Sequence, residues 1–401
     1  MLLSDYDYQL PKELIATHPN QSRGNSRMLV FDNGKISDNY FSEVSSILQK
    51  GDVLVLNNTK VIPARIPMKK STGGKAEILI TKPQGTEDPT LEMIDKGKST
   101  WEAIIGGKRI KQGDSLDFFD NEIALSALIL EKKGFNAKVE LIFNPTKTLA
   151  KVLEECGQIP LPPYMEREAL ESDKMDYQTV FAKYEGSVAA PTASLHFTDV
   201  IMESIRKKGI EIIELTLHVG PGTFLPVETE DPTKHDMHSE SISISSEALK
   251  KIAKAKEDGK RIIASGTTSM RSLESWALAA LKQSENEKER LENSIKYIVD
   301  QWDNKLFNNE NIKLHDIPEK LVQLAKGNST VNGETKLMIM PGHRFLLCNG
   351  LITNFHLPKS TLLMLVSAFI GKENMDNIYN HAIKQEYRFL SYGDASLLFR
   401  E

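Results

Sequence analysis

The sequence predicts an α/β fold with a strand-rich insertion, and three observations predict it. Residues 200–280 alternate helical periodicity with short apolar runs, the pattern of strands covered by helices. Residues 60–147 instead hold short strand-like runs at 76–80, 101–105, 116–119, 124–130 and 137–143. Turn residues such as Gly73-Gly74, Gly106-Gly107, Gly113-Asp114 and Gly134 separate them, as in a small antiparallel sheet or barrel. Finally, the buried-strand run DVLVL at 52–56 precedes this segment, which places the insertion inside the α/β frame.

Composition sets the outer bounds. A chain of 401 residues exceeds one small core and implies two domains. No apolar run reaches the ~18 residues of a membrane span. The opening MLLSDYDYQLP carries acids early and lacks a basic n-region, so no signal peptide is expected. Cys156 and Cys348 are far apart in sequence, which fits a reducing cytoplasm and no disulfide framework. A net charge of −5 gives no global attraction to nucleic acid. Residues 60–147 carry 15 Lys/Arg against 12 Asp/Glu, a local excess too small to mark a nucleic-acid module.

In chain order, residues 5–11 read as extended and 14–16 as a short irregular or helical piece. The polar loop RGNSR at 23–27 follows, then a strand at 28–31 and an amphipathic helix at 41–48. After DVLVL comes NNTKVIPAR, polar residues at a strand end and hence a site edge. Residues 146–156 form a helix stopped by Gly157, and IPLPPYMER is a rigid extended connector. Pro191 and the small residues of VAAPTASLHFTD rule out a regular helix and predict a loop that exposes Ser194 and His196. Thr198 caps a helix at 199–208 that ends at Gly209.

A buried strand at 211–219 then runs into Gly220-Pro221-Gly222, where we expect φ > 0 and close backbone approach to a ligand. A helix starts at Ser246, a strand spans 261–265, GTTS at 266–269 is a turn, and 270–281 is helical. Residues 282–336 read as a partly helical excursion. Strands follow at 337–340 and 346–351, with helices at 361–370 and 375–385.

Chemistry concentrates around 218. Histidine exchanges protons near pH 7, and His196, His218, His235 and His238 all fall near the glycine-rich strand end. His235 and His238 stand at i, i+3 and could ligate a metal, but no third ligand has diagnostic spacing. No Walker A loop and no GxSxG elbow is present.

LHVGPGTF, HDMHSE, AAPTASLHFTD, IASGTTSMRSLES, LITNFHLPKSTLLMLVSAF, YRFLSYGDA, DYDYQLP and NNTKVIPARI together resemble the S-adenosylmethionine:tRNA ribosyltransferase-isomerase family. The blocks keep the family's order over nearly the whole chain. Departures are the long connector 282–336, Ser194 for a usual Gly, Pro221 for a usual Ala and Leu225 for a common Arg.

The resemblance implies a larger α/β, barrel-like domain (1–59 and 148–401, with an insertion at about 282–336) interrupted by a smaller antiparallel β-barrel domain at 60–147. It implies that S-adenosylmethionine donates its ribosyl unit to 7-aminomethyl-7-deazaguanine at the tRNA wobble position. The unit is isomerised to give epoxyqueuosine-tRNA, adenine and methionine. S-adenosylmethionine is then a consumed substrate, no other cofactor or metal is expected, and a cytoplasmic monomer is.

That chemistry asks for a base at C5′ beside the sulfonium, an acid for adenine and a neutral amine. We expect His218 or His196 as the base, with the other or His238 assisting adenine. Thr192, Ser194, Gly220, Gly222 and Thr223 would meet the nucleoside. Thr267, Thr268 and Arg271 would hold the methionine carboxylate, unless Arg271 is a buried ion pair. Asn354 and His356 would line the opposite wall. Arg23, Lys60, Arg65 and Lys359 are the expected tRNA-phosphate contacts. The rival readings are a metal-dependent hydrolase using His235 and His238, and a non-catalytic tRNA-binding scaffold.

Overall fold

The computed structural model describes residues 2–84, 89–118, 120, 123–224, 229–285, 296–307 and 314–400. The chain divides into two compact units, Met1–Asn58, Pro191–Leu217 and Leu225–Glu401 in one, Thr59–Ala190 and His218–Phe224 in the other. The fold is α/β with a large mixed sheet and a closed antiparallel barrel, the class expected.

The larger unit is built on a ten-stranded sheet. Its order is Lys296–Val299, Thr330–Thr335, Glu240–Ser245, Glu211–Leu217, Val53–Asn57, Ile262–Ser265, Gly350–Asn354, Ala395–Phe399, Arg27–Asp32 and Lys35–Tyr40. Strands Val53–Asn57, Ile262–Ser265, Gly350–Asn354 and Ala395–Phe399 are buried at every position. Continuous apolar runs such as VLVL belong in strands covered on both faces. Helix Asp199–Lys207 begins where expected, with Thr198 Oγ1 accepting from the Ile201 N–H at 3.3 Å.

Three expectations for this unit need correction. GTTS at 266–269 is not a free turn, because helix Thr267–Glu285 starts directly after Gly266. Gly266 has φ +90°, so one residue turns the strand into the helix. The 282–336 excursion supplies two sheet strands, Lys296–Val299 and Thr330–Thr335, and the strand expected at 337–340 lies earlier, at Thr330–Thr335. The strand expected at 346–351 is Gly350–Asn354, since the backbone N–H groups of Leu346, Leu347 and Cys348 donate to the Glu274 carboxylate instead of a ladder.

The smaller unit holds a closed barrel in the order Asn136–Phe143, Lys98–Gly107, Lys75–Pro83, Arg65–Lys70, Ser115–Phe118 and Leu125–Lys133. Every pairing in it is antiparallel. Alternate residues point inward, so Ile66, Ile78, Trp101, Leu116, Ile129 and Val139 fill the interior. The buried Trp101 indole donates to Ser99 Oγ at 2.8 Å, which satisfies its one polar group. Beside the barrel, Thr59–Val61 and Tyr184–Ser187 form a short parallel ladder.

Candidate active site

Four neighbouring strands of the larger unit run parallel: Glu211–Leu217, Val53–Asn57, Ile262–Ser265 and Gly350–Asn354. Their carboxyl ends share one edge of the sheet, the position where open α/β sheets bind ligands. Three of these ends carry polar side chains in otherwise apolar strands: Asn57, Ser265 and Asn354, all buried.

Each of the three is held by partners. Asn57 Oδ1 accepts from the Leu217 N–H at 3.0 Å, and its Nδ2 donates to the Leu217 carbonyl at 2.9 Å and Thr268 Oγ1 at 3.5 Å. Ser265 and Ser194 join hydroxyls at 2.8 Å, so the 3₁₀ turn Thr192–Ser194 is tied to the strand end. Thr267 and Thr268 open the following helix, at the end where a helix leaves its first N–H groups without intrahelical partners.

His196 and Ser194 are buried rather than exposed by their loop, because each is tied to a strand-end side chain, and His196 is fully engaged. Its Nε2 meets Asn354 Oδ1 and its Nδ1 meets Ser26 Oγ, each at 3.0 Å. Asn354 Nδ2 donates to the carbonyls of Leu390 and Ser391, so the amide is oriented and Oδ1 must be the acceptor. His196 is therefore protonated on Nε2, and Nδ1 accepts from Ser26. Burial holds this imidazole below its ordinary pKa, against the opposing pull of the Asn354 bond. It is a neutral ring with no spare nitrogen. His356 is also kept neutral: burial pushes its pKa down to about 4, and Nε2 pairs with Thr353 Oγ1 at 2.9 Å.

His218 lies in the smaller unit and is half-buried. Its Nδ1 meets the buried Thr59 Oγ1 at 2.9 Å. Gly186, at φ +143°, makes room for the ring: an added Cβ would stand 3.0 Å from Nδ1 and 3.1 Å from Cε1. Gly220 departs from expectation. It is absent from the positive-φ glycines, and a Cβ there would meet open space. Pro221–Phe224 forms a 3₁₀ turn that contains Gly222 and Thr223, and the Thr223 side chain and Leu225 lie outside the described residues.

The Arg271 guanidinium is buried: one nitrogen pairs with the Glu240 carboxylate and Nε donates to the Leu337 carbonyl at 3.1 Å, while Nη2 has no hydrogen-bond partner among the described residues. Among the basic residues expected to meet tRNA, Lys60 pairs with Glu185 at 2.8 Å, Arg65 with Glu77 and Lys359 with Asp7 at 2.9 Å. Arg23 is half-buried. His238 is exposed, and among the described residues no group of three His, Cys, Asp or Glu side chains could hold a metal. His235 and His238 thus have no third ligand there, and the hydrolase reading has no donor set.

The sequence marked Asn57 and Thr59 only as a site edge and assigned Ser26 and Ser265 no part in it. The usable signal was a polar residue closing an apolar strand, as in DVLVLN.

A family model described as queuosine biosynthesis protein matches residues 3–398. An S-adenosylmethionine:tRNA ribosyltransferase-isomerase of Polynucleobacter asymbioticus is 40% identical, over 100% of this chain and 98% of its own. A protein of the same name from Halothermothrix orenii is 40% identical over 99% of this chain and 100% of its own. A crystal structure of S-adenosylmethionine tRNA ribosyltransferase from Thermotoga maritima is 29% identical over 98% of this chain and 100% of its own, with a TM-score of 0.47.

Proposed function

The chain belongs to the family of queuosine biosynthesis proteins, and from that premise we propose which of its residues carry the reaction. The enzyme is an S-adenosylmethionine:tRNA ribosyltransferase-isomerase. It moves the ribosyl unit of S-adenosylmethionine to 7-aminomethyl-7-deazaguanine at the tRNA wobble position and isomerises it, releasing adenine and methionine.

The observation that carries the residue assignment is the contrast among three imidazoles. His196 has both ring nitrogens engaged and His356 is held neutral by burial. His218 is half-buried, and its Nδ1 lies 2.9 Å from the Thr59 hydroxyl. His218 is the base that removes a C5′ proton acidified by the sulfonium. His196 takes no proton and is held by Asn354. His238, exposed, gives adenine its proton as it departs.

The methionine carboxylate goes to the helix start at Thr267 and Thr268 and to Arg271, whose Nη2 has no hydrogen-bond partner among the described residues although Glu240 pairs with Nη1. Thr192, Ser194 and Asn354 contact the nucleoside, and Gly220, Gly222 and Thr223 are its further contacts. Phosphates of the tRNA displace the carboxylate partners of Lys60, Arg65 and Lys359. Exposed ion pairs of that kind contribute about 0–1 kcal/mol, so exchanging them costs little.

The enzyme works as a cytoplasmic monomer without a further cofactor. Adenine release from S-adenosylmethionine, measured with tRNA bearing the aminomethyl base, tests the reading. We expect release in the presence of chelator and a single-chain mass by light scattering. Release that proceeds at the wild-type rate in a folded His218→Ala variant removes His218 from the base role.

A further inference from the structure

We propose that Tyr184 is the platform on which the RNA base stacks when it is presented to His218. The inference rests on the tRNA-modifying reading above and deepens it. Strand Tyr184–Ser187 runs parallel to Thr59–Val61, with Tyr184 opposite Thr59 in register. Residues opposite one another in a sheet present their side chains to the same face. On that face the Thr59 hydroxyl holds His218 Nδ1 at 2.9 Å. Gly186, on the same strand as Tyr184, gives the imidazole its space. Tyr184 and His218 therefore lie on the same side of the short ladder in the smaller unit, with the buried Thr59 between them in the chain of contacts.

The Tyr184 ring is 38% exposed, whereas Tyr177 and Tyr387 are fully buried and serve the core. The Lys183 ammonium stands over the ring, 5.0 Å from its centroid. With the cation over one face, a base stacks on the other, and the ammonium serves the adjoining phosphate. An exposed aromatic ring with a neighbouring cation is how proteins hold an unstacked base of single-stranded RNA. The product demands such a device. The aminomethyl nitrogen is the nucleophile, so the base must leave its stack and be held flat while the ribosyl unit arrives.

The test is binding of tRNA bearing the aminomethyl base, at one fixed salt concentration, by Tyr184→Phe, Tyr184→Trp, Tyr184→Leu and Tyr184→Ala variants. Circular dichroism confirms that each is folded. Phe and Trp are expected to bind like wild type. Ala and Leu are expected to weaken binding roughly five- to hundred-fold, the usual loss of one base–aromatic stack. KM for S-adenosylmethionine stays unchanged in all four. Wild-type affinity in Tyr184→Ala overturns the proposal, and so does a Leu variant as good as Phe, because apolar bulk alone would then suffice. His218→Gln separates the two readings: it binds tRNA normally and releases adenine far more slowly if His218 is the base. Its turnover reports on the base, and the Tyr184 series reports on the stack.

Discussion

Asn57 grips Leu217 by both backbone polar groups, accepting from its N–H at 3.0 Å and donating to its carbonyl at 2.9 Å. The two residues are 160 positions apart and end adjacent parallel strands. Because Leu217 immediately precedes His218, this amide fixes the point from which the histidine leaves the sheet.

Asn57→Leu keeps the volume and removes both bonds. Each buried group left without a partner costs about 1–3 kcal/mol, so the urea midpoint should fall clearly. Asn57→Asp keeps an acceptor for the N–H but sets an oxygen against the Leu217 carbonyl, and should be no milder. In both variants kcat is expected to drop more than either KM. An unchanged midpoint in Asn57→Leu would show that the clamp contributes nothing.

Thr59→Val tests the hydroxyl on His218 at nearly constant volume. Loss of the Nδ1 partner removes one hold on the ring, and kcat should fall with little change in KM. His218→Gln should reduce turnover roughly 10²- to 10⁴-fold, the usual contribution of a positioned acid–base group. Adenine release measures both. A Thr59→Val enzyme with wild-type kcat would mean that the ring needs no orienting partner.

Two glycines beside the same histidine should respond in opposite ways. Gly186→Ala forces a left-handed residue and drives a Cβ to 2.4 Å from Pro89 Cβ and 3.0 Å from the His218 ring. Backbone strain of that kind costs about 1–3 kcal/mol before the clash is counted, so both the melting temperature and turnover should fall. Gly220→Ala enters open space, and its melting temperature should not move. If the Gly220 backbone meets the nucleoside, its KM for S-adenosylmethionine rises instead. A destabilised Gly220→Ala protein would contradict the open space.

These pairs also mark what the sequence could and could not disclose. Period-two alternation over 75–83 and 98–107 and the apolar run before Asn57 are local patterns, and both announced their strands. Arg65–Lys70 was missed because Pro67 and two lysines weaken the strand signal, although the barrel closes through it. The final strand Ala395–Phe399 was hidden by the turn residues before it. Arg271 carries no local sign that Glu240 neutralises it, and His196 none that Asn354, 158 residues on, will fix its proton. Such partnerships are set by which strand ends the sheet brings together.

The buried imidazoles give stability a definite pH dependence. His356 has its pKa pushed down from 6.5 to about 4 by burial, and His196 is lowered for the same first reason. The unfolded chain takes up these protons near pH 6.5, whereas the folded protein refuses them until lower pH. Unfolding therefore binds protons in that window, and stability rises with pH across it. The His356 contribution is complete above about 6.5, shrinks as pH falls, and is gone below about 4. Its full size is about 3 kcal/mol, from about 1.4 kcal/mol per unit of pKa. Carboxylates titrate at the lower end of the same range, so the comparison must be between variants. Urea unfolding of wild type and His356→Asn at pH 7.0, 6.0 and 5.0 isolates the effect. The wild-type protein should lose more stability on acidification than the variant, with most of the difference developing below pH 6.5. Parallel pH profiles would mean that His356 protonates as easily in the folded protein as in the unfolded chain, and its neutral buried state would have to be abandoned.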